Sequence, residues 1–186
     1  RPLKKLTPLN AINAGIGLVT EDRRGTGIFP LLDITVNTTV PSLREYRNKV
    51  GLLDHKRLAR TAKSQNEQLK TKTPSMTTLI QNLSGGNQQK VILSRWLMTL
   101  PNILIMDEPT RGIDVGAKYE IYTIMAELAK QGKAIIMVSS EMPELIGMSH
   151  RVLVLCEGRL TGTLSKEEAD QETIMRYATK FSKEFV

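Results

Sequence analysis

Residues 103–138 read ILIMDEPTRGIDVGAKYEIYTIMAELAKQGKAIIMV. Ile103 to Met106 is a short aliphatic run that ends on an acidic pair, Asp107-Glu108. A run of this length between breakers reads as a buried strand. Ile121, Ile124, Met125 and Leu128 then recur at the i, i+3, i+4, i+7 spacing of a helical stripe, and Gly132 closes that helix before a second aliphatic run, Ala134 to Val138. Strand, helix, strand implies a parallel crossover, and so an α/β fold built on a parallel core sheet. In such sheets ligands gather at the carboxyl ends of the strands, which puts Asp107 and Glu108 where phosphate chemistry happens. An aspartate there can hold the Mg²⁺ of a nucleotide, usually through water, and the adjacent carboxylate can polarise an attacking water. A helix-capping aspartate is the structural alternative.

Upstream of that strand, Pro101 ends a helix expected near Asn87 to Thr99, and the helix opens on Leu83-Ser84-Gly85-Gly86-Asn87-Gln88-Gln89-Lys90. Two glycines let a backbone approach closely, and a helix beginning there aims free N–H groups and a positive dipole end at an anion. Ser84 adds a hydroxyl donor; taken alone, it would be an ordinary N-cap serine. From Ile34 to Thr73 the apolar residues are sparse and the polar ones favour helix, which predicts peripheral helices with little burial. These belong to a helical subdomain of about residues 30–100, with residues 101–186 carrying the remaining elements. Arg1 to Asn13 is basic and proline-punctuated; Ile16 to Val19 reads as a short strand ending at Thr20-Glu21-Asp22, with a glycine-rich turn at Arg24 to Gly27. Val152 to Leu155 and Arg159 to Thr163 flank Glu157-Gly158 and predict a C-terminal hairpin, followed by a helix from Lys166 to about Lys180.

Composition limits the alternatives. With 186 residues, 40% hydrophobic and 24% charged, the chain is that of one folded core or a core with a small subdomain. No apolar run approaches the roughly 20 residues that cross a bilayer. The single cysteine, Cys156, excludes an internal disulfide, and no secretory signal precedes the first strand pattern. The formal charge of +7 is concentrated in Pro41 to Lys72, which holds nine Lys/Arg and three Asp/Glu. Such a surface could attract nucleic acid or an anionic leaflet, or be a solvated helical face; no interleaved aromatics support base stacking. His55 and His150 read as surface or structural residues.

Residues 83–90, followed at the usual distance by Ile103-Leu104-Ile105-Met106-Asp107-Glu108-Pro109-Thr110, resemble the signature motif and Walker B of ABC-transporter ATPases. Arg111-Gly112-Ile113-Asp114 looks like the D-loop, and Val19-Thr20-Glu21 falls where that family carries its Q-loop. More narrowly, Val19 to Arg24 and Asp107 to Gly116 look like the second half of fused, two-repeat ATPases that import monosaccharides of the galactose and methyl galactoside type. The resemblance implies a partial P-loop NTPase fold that binds ATP and Mg²⁺ at the cytoplasmic face of the bacterial inner membrane. It implies partners: a complementary N-terminal ATPase half, transmembrane permease subunits and, indirectly, a periplasmic sugar-binding protein, with no nucleic acid. Carried over by position, it gives Glu108 and Ser140 catalytic roles. Leu83, Ser84, Gly85, Gly86, Asn87, Gln88 and Asp114 become nucleotide-binding, and Asp107 and Glu21 metal-binding.

Three departures qualify the match. The Q-loop position holds Glu21 instead of glutamine, and Ser140, within Val138-Ser139-Ser140-Glu141, stands where the family has a histidine. A serine hydroxyl donates a hydrogen bond but carries no positive charge near neutral pH. The third is the phosphate loop: no G-x-x-x-x-G-K-[ST] occurs, and Gly132-Lys133, the nearest dipeptide, reads as a helix C-terminus. In this family that loop precedes the Q-loop, so it is expected before Arg1, and a chain opening on Arg1-Pro2 reads as a fragment. The competing readings are an ABC-type ATPase acting on ribosome or nucleic acid, and a non-catalytic interaction fragment.

Overall fold

The computed structural model describes residues 7–181; the opening basic residues 1–6 and the last residues, 182–186, lie outside the described set. The chain divides into two compact units between Val138 and Ser139.

The first unit holds α1 (Pro8–Asn13), β1 (Ile16–Val19), a single π turn (Arg23–Gly27), α2 (Ile34–Thr39), a 3₁₀ segment (Val40–Tyr46), α3 (His55–Gln68), a short 3₁₀ turn (Ile80–Asn82), α4 (Gly85–Leu97), β2 (Ile103–Asp107), α5 (Val115–Lys130) and β3 (Ala134–Val138). Its sheet has the order β1-β2-β3, all parallel, with Leu18, Ile105 and Ile136 in one row and Val19, Met106 and Met137 in the next. The expected parallel crossover is therefore β2-α5-β3. Gly132 closes α5 in the left-handed conformation, φ +86°, as a C-terminal glycine does. Side chains alternate across the strands, so Val19, Leu104 and Met106 are fully buried, with α4 against β1 and α5 against β3. The opposite rows are open: Leu18 is 43% exposed and Ile136 52%. Parallel sheets are ordinarily covered on both faces; among the described residues this one presents an aliphatic face, and β1 and β3 stand at its edges.

The expectation of little burial between Ile34 and Thr73 is wrong. Ile34, Asn37, Thr38, Thr39, Ser42, Leu58, Ala62 and Asn66 are all buried. The polar ones escape a hydropathy reading because their hydrogen bonds are made internally. Thr38 Oγ1 donates to Ile34 O at 2.8 Å, and Asn66 Nδ2 reaches Thr38 Oγ1 and Ala62 O, both at 2.9 Å. Such satisfied groups cost little to bury.

The second unit holds α6 (Met142–Met148), β4 (Arg151–Cys156), β5 (Arg159–Ser165) and α7 (Gln171–Ala178). β4 and β5 form the expected antiparallel hairpin, and Glu157 (φ +49°) and Gly158 (φ +75°) supply the two left-handed residues of its tight turn. Val152, Val154, Leu164, Ala169 and Ile174 form its core. The last helix starts later than expected, at Gln171, because Asp170 caps it: Asp170 Oδ1 accepts from Thr173 N at 2.8 Å. Among the described residues no helix is long and apolar enough to cross a membrane.

Candidate functional site

The turn into α4 is built by its own side chains. Gln88 is buried, and its amide folds back to donate to Ile80 O at 3.3 Å and Leu83 O at 3.1 Å. Ser84 occupies the N-cap position without a side-chain cap bond. Its exposed hydroxyl accepts from Asn87 Nδ2 at 2.9 Å, and Asn87 Oδ1 accepts from Lys72 N at 2.8 Å. The first N–H groups of a helix have no intrahelical acceptor, so this turn presents backbone donors and the positive dipole end beside an exposed hydroxyl.

The two glycines pack against other elements. A Cβ on Gly85 would lie 3.0 Å from an Arg23 guanidinium nitrogen and 3.3 Å from Gly112 O, and one on Gly86 would lie 2.5 Å from the Ala117 Cβ. Their side-chain-free surface lets α4 begin directly against the segment that leaves β2. That segment is itself constrained. Asp107, half-buried, ends β2 opposite Val138. Glu108 follows with φ +46°, a conformation that costs a non-glycine residue energy, and its N–H donates to Val138 O at 2.9 Å. Gly112 has φ +66°, and Asp114 caps α5 by accepting from Ala117 N at 2.9 Å. Strained backbone of this kind clusters at functional sites.

Glu21 leaves β1 and makes an ion pair with Arg111, so the segments after β1 and β2 are joined across solvent-exposed side chains. Asp22 organises the π turn, its Oδ1 accepting from Gly25 N at 2.8 Å. A shallow, open depression of about 440 Å³ lies among Glu21, Asp22, Arg23, Arg24 and Arg111. In the second unit Ser140 is exposed, and its neighbour Ser139 donates to the buried carboxylate of Glu144 and accepts from Glu141 N at 3.0 Å. His55 and His150 are exposed. Lys133 turns its ammonium onto Pro101 O at 2.8 Å, so the Gly132-Lys133 dipeptide is a helix end tied to a neighbouring loop.

The structure thus brings Gly85 against Gly112, and Gly86 against Ile113 and Ala117, within the first unit. It also adds contacts that the sequence motifs did not predict: Arg23 and Glu21 onto Arg111 in the first unit, and Ser139 onto Glu144 in the second. The motifs that contain Arg23 and Arg111 do not name their partners, which lie far away along the chain. Ser139-x-x-x-x-Glu144 is a signal only once a helix is known to begin between them.

The ABC transporter family profile matches residues 2–111. The chain belongs to the ABC transporter family. A galactose/methyl galactoside import ATP-binding protein, MglA, from Clostridium tetani is 57% identical to this ABC-transporter chain over 179 residues, 96% of the chain and 36% of that protein. The MglA protein of Escherichia coli K12 is 53% identical over 169 residues, 91% of the chain and 33% of that protein. The chain is closely related to these proteins and spans about a third of their length. Among solved structures, the ATP-binding cassette MJ1267 in its ADP conformation aligns with a TM-score of 0.72 and 18% identity over 91% of this chain and 70% of that one. A dimeric cassette, MJ0796, bound to ADP and Pi, aligns with a TM-score of 0.68 and 22% identity over 81% of this chain and 62% of that one. These likenesses establish the ABC-cassette fold.

Proposed function

We propose that this chain is an ATPase module that energises monosaccharide import through an ABC transporter, acting within a longer polypeptide. The observation that carries the reading is the meeting of the α4 N-terminus with the loop leaving β2, where Gly85 abuts Gly112 O. One edge of the first unit thereby offers both an anion-attracting turn and the carboxylates of a strand end. In this reading Ser84 and the backbone N–H groups of Gly85, Gly86 and Asn87 face the γ-phosphate of an ATP held by a complementary N-terminal ATPase half. Leu83 and Gln88 act through the turn they hold, and Asp114 through the helix it caps.

Asp107 and Glu108 would serve the chain's own nucleotide. Among the described residues no group of three or more His, Cys, Asp or Glu gathers to hold a metal. Mg²⁺ bound mainly by ATP phosphates favours few protein ligands, and Asp107 at the end of β2 is a carboxylate of the kind it takes. When bound, it neutralises charge on the β- and γ-phosphates. Glu108 would orient the attacking water, Ser140 would donate to the γ-phosphate region, and Glu21 would stand at the Q-loop position.

The sugar follows from the relatives' names; the permease partners, the sugar-binding protein that reaches them from the periplasm and the cytoplasmic face of the inner membrane as location are what the resemblance to fused importers implies, and the whole-protein activity rests on both. The test is reconstitution of the full-length subunit with its permease in vesicles. Mg·ATP hydrolysis should be stimulated by galactose or methyl galactoside presented with the binding protein. Hydrolysis indifferent to sugar, but stimulated by RNA with steep salt dependence, would instead support the nucleic-acid reading of the exposed α3 cations.

A further inference from the structure

Arg23 stands where three segments converge. It opens the π turn after β1, and its Nη1 donates to Arg111 O at 3.4 Å. Its Nη2 lies 3.0 Å from where Gly85 would carry a Cβ and 3.9 Å from the corresponding point at Gly112. Glycine at position 85 makes room for the guanidinium, whereas at Gly112 the separation is that of an ordinary contact. The turn that holds Arg23 is stiff: Thr26 N and Gly27 N both donate to Asp22 O, at 3.0 and 2.9 Å, and the Thr20 and Thr26 hydroxyls lie 3.1 Å apart. Arg23 Nε is buried without a hydrogen-bond partner among the described residues. Burial and the neighbouring Arg24 hold the Arg23 pKa below its usual value, so the group is placed here at an electrostatic cost. Beside it, the Glu21–Arg111 ion pair ties the same two loops a second time.

We propose that Arg23 is a positioning residue, a strut that fixes the start of α4 against the Arg111-Gly112 turn so that the two loops move as one body with the segment after β1. A planar guanidinium can face a carbonyl on one edge and pack a glycine backbone on the other; an ammonium cannot span both. The consequence for turnover rests on the composite-site reading above. If Ser84 to Asn87 meet a partner's phosphate, a displacement of this turn by a fraction of an ångström reduces transition-state contact more than ground-state binding.

The test has two arms. In the full-length subunit, hydrogen exchange of the backbone amides at 85–88 and 111–114 is compared for wild type, Arg23→Ala, Arg23→Lys and Arg24→Ala. Arg23→Ala should accelerate exchange in both segments together, Arg23→Lys should restore little, and Arg24→Ala, which removes the same charge one residue on, should change neither. Unchanged exchange in Arg23→Ala, or equal acceleration in Arg24→Ala, overturns the strut. In the assembled transporter, Arg23→Ala should lower kcat about tenfold with KM for ATP nearly unchanged. A raised KM at unchanged kcat would mean that Arg23 binds nucleotide directly, and would also overturn it. Ser84→Arg serves as the reference for the underlying reading. Should it leave turnover intact, the composite site fails, while the exchange arm still decides the strut.

Discussion

A Cβ placed on Gly86 would come within 2.5 Å of the Ala117 Cβ, so the first turns of α4 and α5 touch with no space for a methyl group. Two atoms fixed to two helices cannot relax by rotamer change. Gly86→Ala should therefore destabilise the full-length subunit by about 1–3 kcal/mol, the usual cost of overpacking. Ala117→Gly in the same chain should recover part of that loss, although alone it costs about 0.5–1 kcal/mol as a helical glycine. Thermal midpoints of the two single variants and the double variant check this. Strictly additive losses would mean that the contact is not the cause.

The same two helices are joined by charge. Lys90 is 1% exposed, and its ammonium lies 2.7 Å from Glu120 Oε2 and donates to Lys70 O at 3.0 Å. The hydrogen bond from Lys90, aided by the charges of Lys90 and Lys72, holds the Glu120 carboxyl below its usual pKa despite some desolvation and the neighbouring Asp114. Because the folded-state pKa is the lower one, the stabilisation is complete above the unfolded carboxylate range and is lost as pH falls toward the depressed value. Glu120→Gln leaves a buried ammonium short of its counter-charge and should cost about 1–2 kcal/mol near neutrality, solvent exposure of the carboxylate limiting the loss. Denaturation midpoints against pH should show the gap between variant and wild type closing below pH of about 4.

How much of this was legible in the sequence depends on the range of the forces involved. β1, β3 and the Glu157-Gly158 hairpin turn fall where aliphatic runs and turn residues place them, because those are local properties. The motif glycines were legible as sites of close approach, but not what they approach. Gly85 and Gly86 face Arg23, Gly112 and Ala117, residues of other elements. Asn37 and Asn66 read as surface residues because hydropathy counts a polar atom as a cost, whereas their partners are supplied by the fold. The start of α7 was legible and missed, since Asp170 followed by Thr173 is a local cap.

Asn37 also supports a buried network around the Arg95 guanidinium. The two N–H groups of Asn37 Nδ2 are shared among the carbonyls of Phe29, Leu32 and Asp33 at 3.0, 3.1 and 3.0 Å, and its Oδ1 accepts from Phe29 N and Arg95 Nη2 at 2.9 Å. Arg95 further donates to Asn37 O and Gly27 O, both at 2.6 Å, and burial lowers its pKa to about 10. Asn37→Leu leaves several buried groups unsatisfied, and a loss of about 3 kcal/mol or more is expected. Arg95→Lys, which keeps one charged donor, should cost less. Urea midpoints of the two variants test the order, and the reverse order would relocate the hub to Arg95.

ATP binding by the 186-residue chain alone should be poor, because its sequence contains no G-x-x-x-x-G-K-[ST] cradle and no P-loop lysine for the β- and γ-phosphates. Calorimetric titration of the purified chain with Mg·ATP should give no saturable binding in the micromolar range. Micromolar affinity with magnesium-dependent turnover would refute this and place a phosphate cradle within these residues.

In the full-length subunit the two ATP sites should be unequal. The resemblance to fused importers assigns the first half an intact phosphate loop and switch histidine with a poorer signature, while this chain offers Ser84-Gly85-Gly86 in an ordered turn but serine at position 140. By resemblance, the site that this half completes with Glu108 would be the weaker one, since the hydroxyl that replaces the family's histidine stabilises developing phosphate charge less than an imidazolium. Glu108→Gln should then lower steady-state hydrolysis only modestly. Gly85→Asp should nearly abolish it, for two reasons that act together. Its side chain would enter space 3.0 Å from Arg23 and 3.3 Å from Gly112 O, displacing the turn, and its carboxylate would set a negative charge beside the phosphate that the turn is read to meet. Comparing turnover of the assembled transporter for the two variants separates the sites. Equal damage would make Glu108 part of a principal catalytic site and overturn the asymmetry.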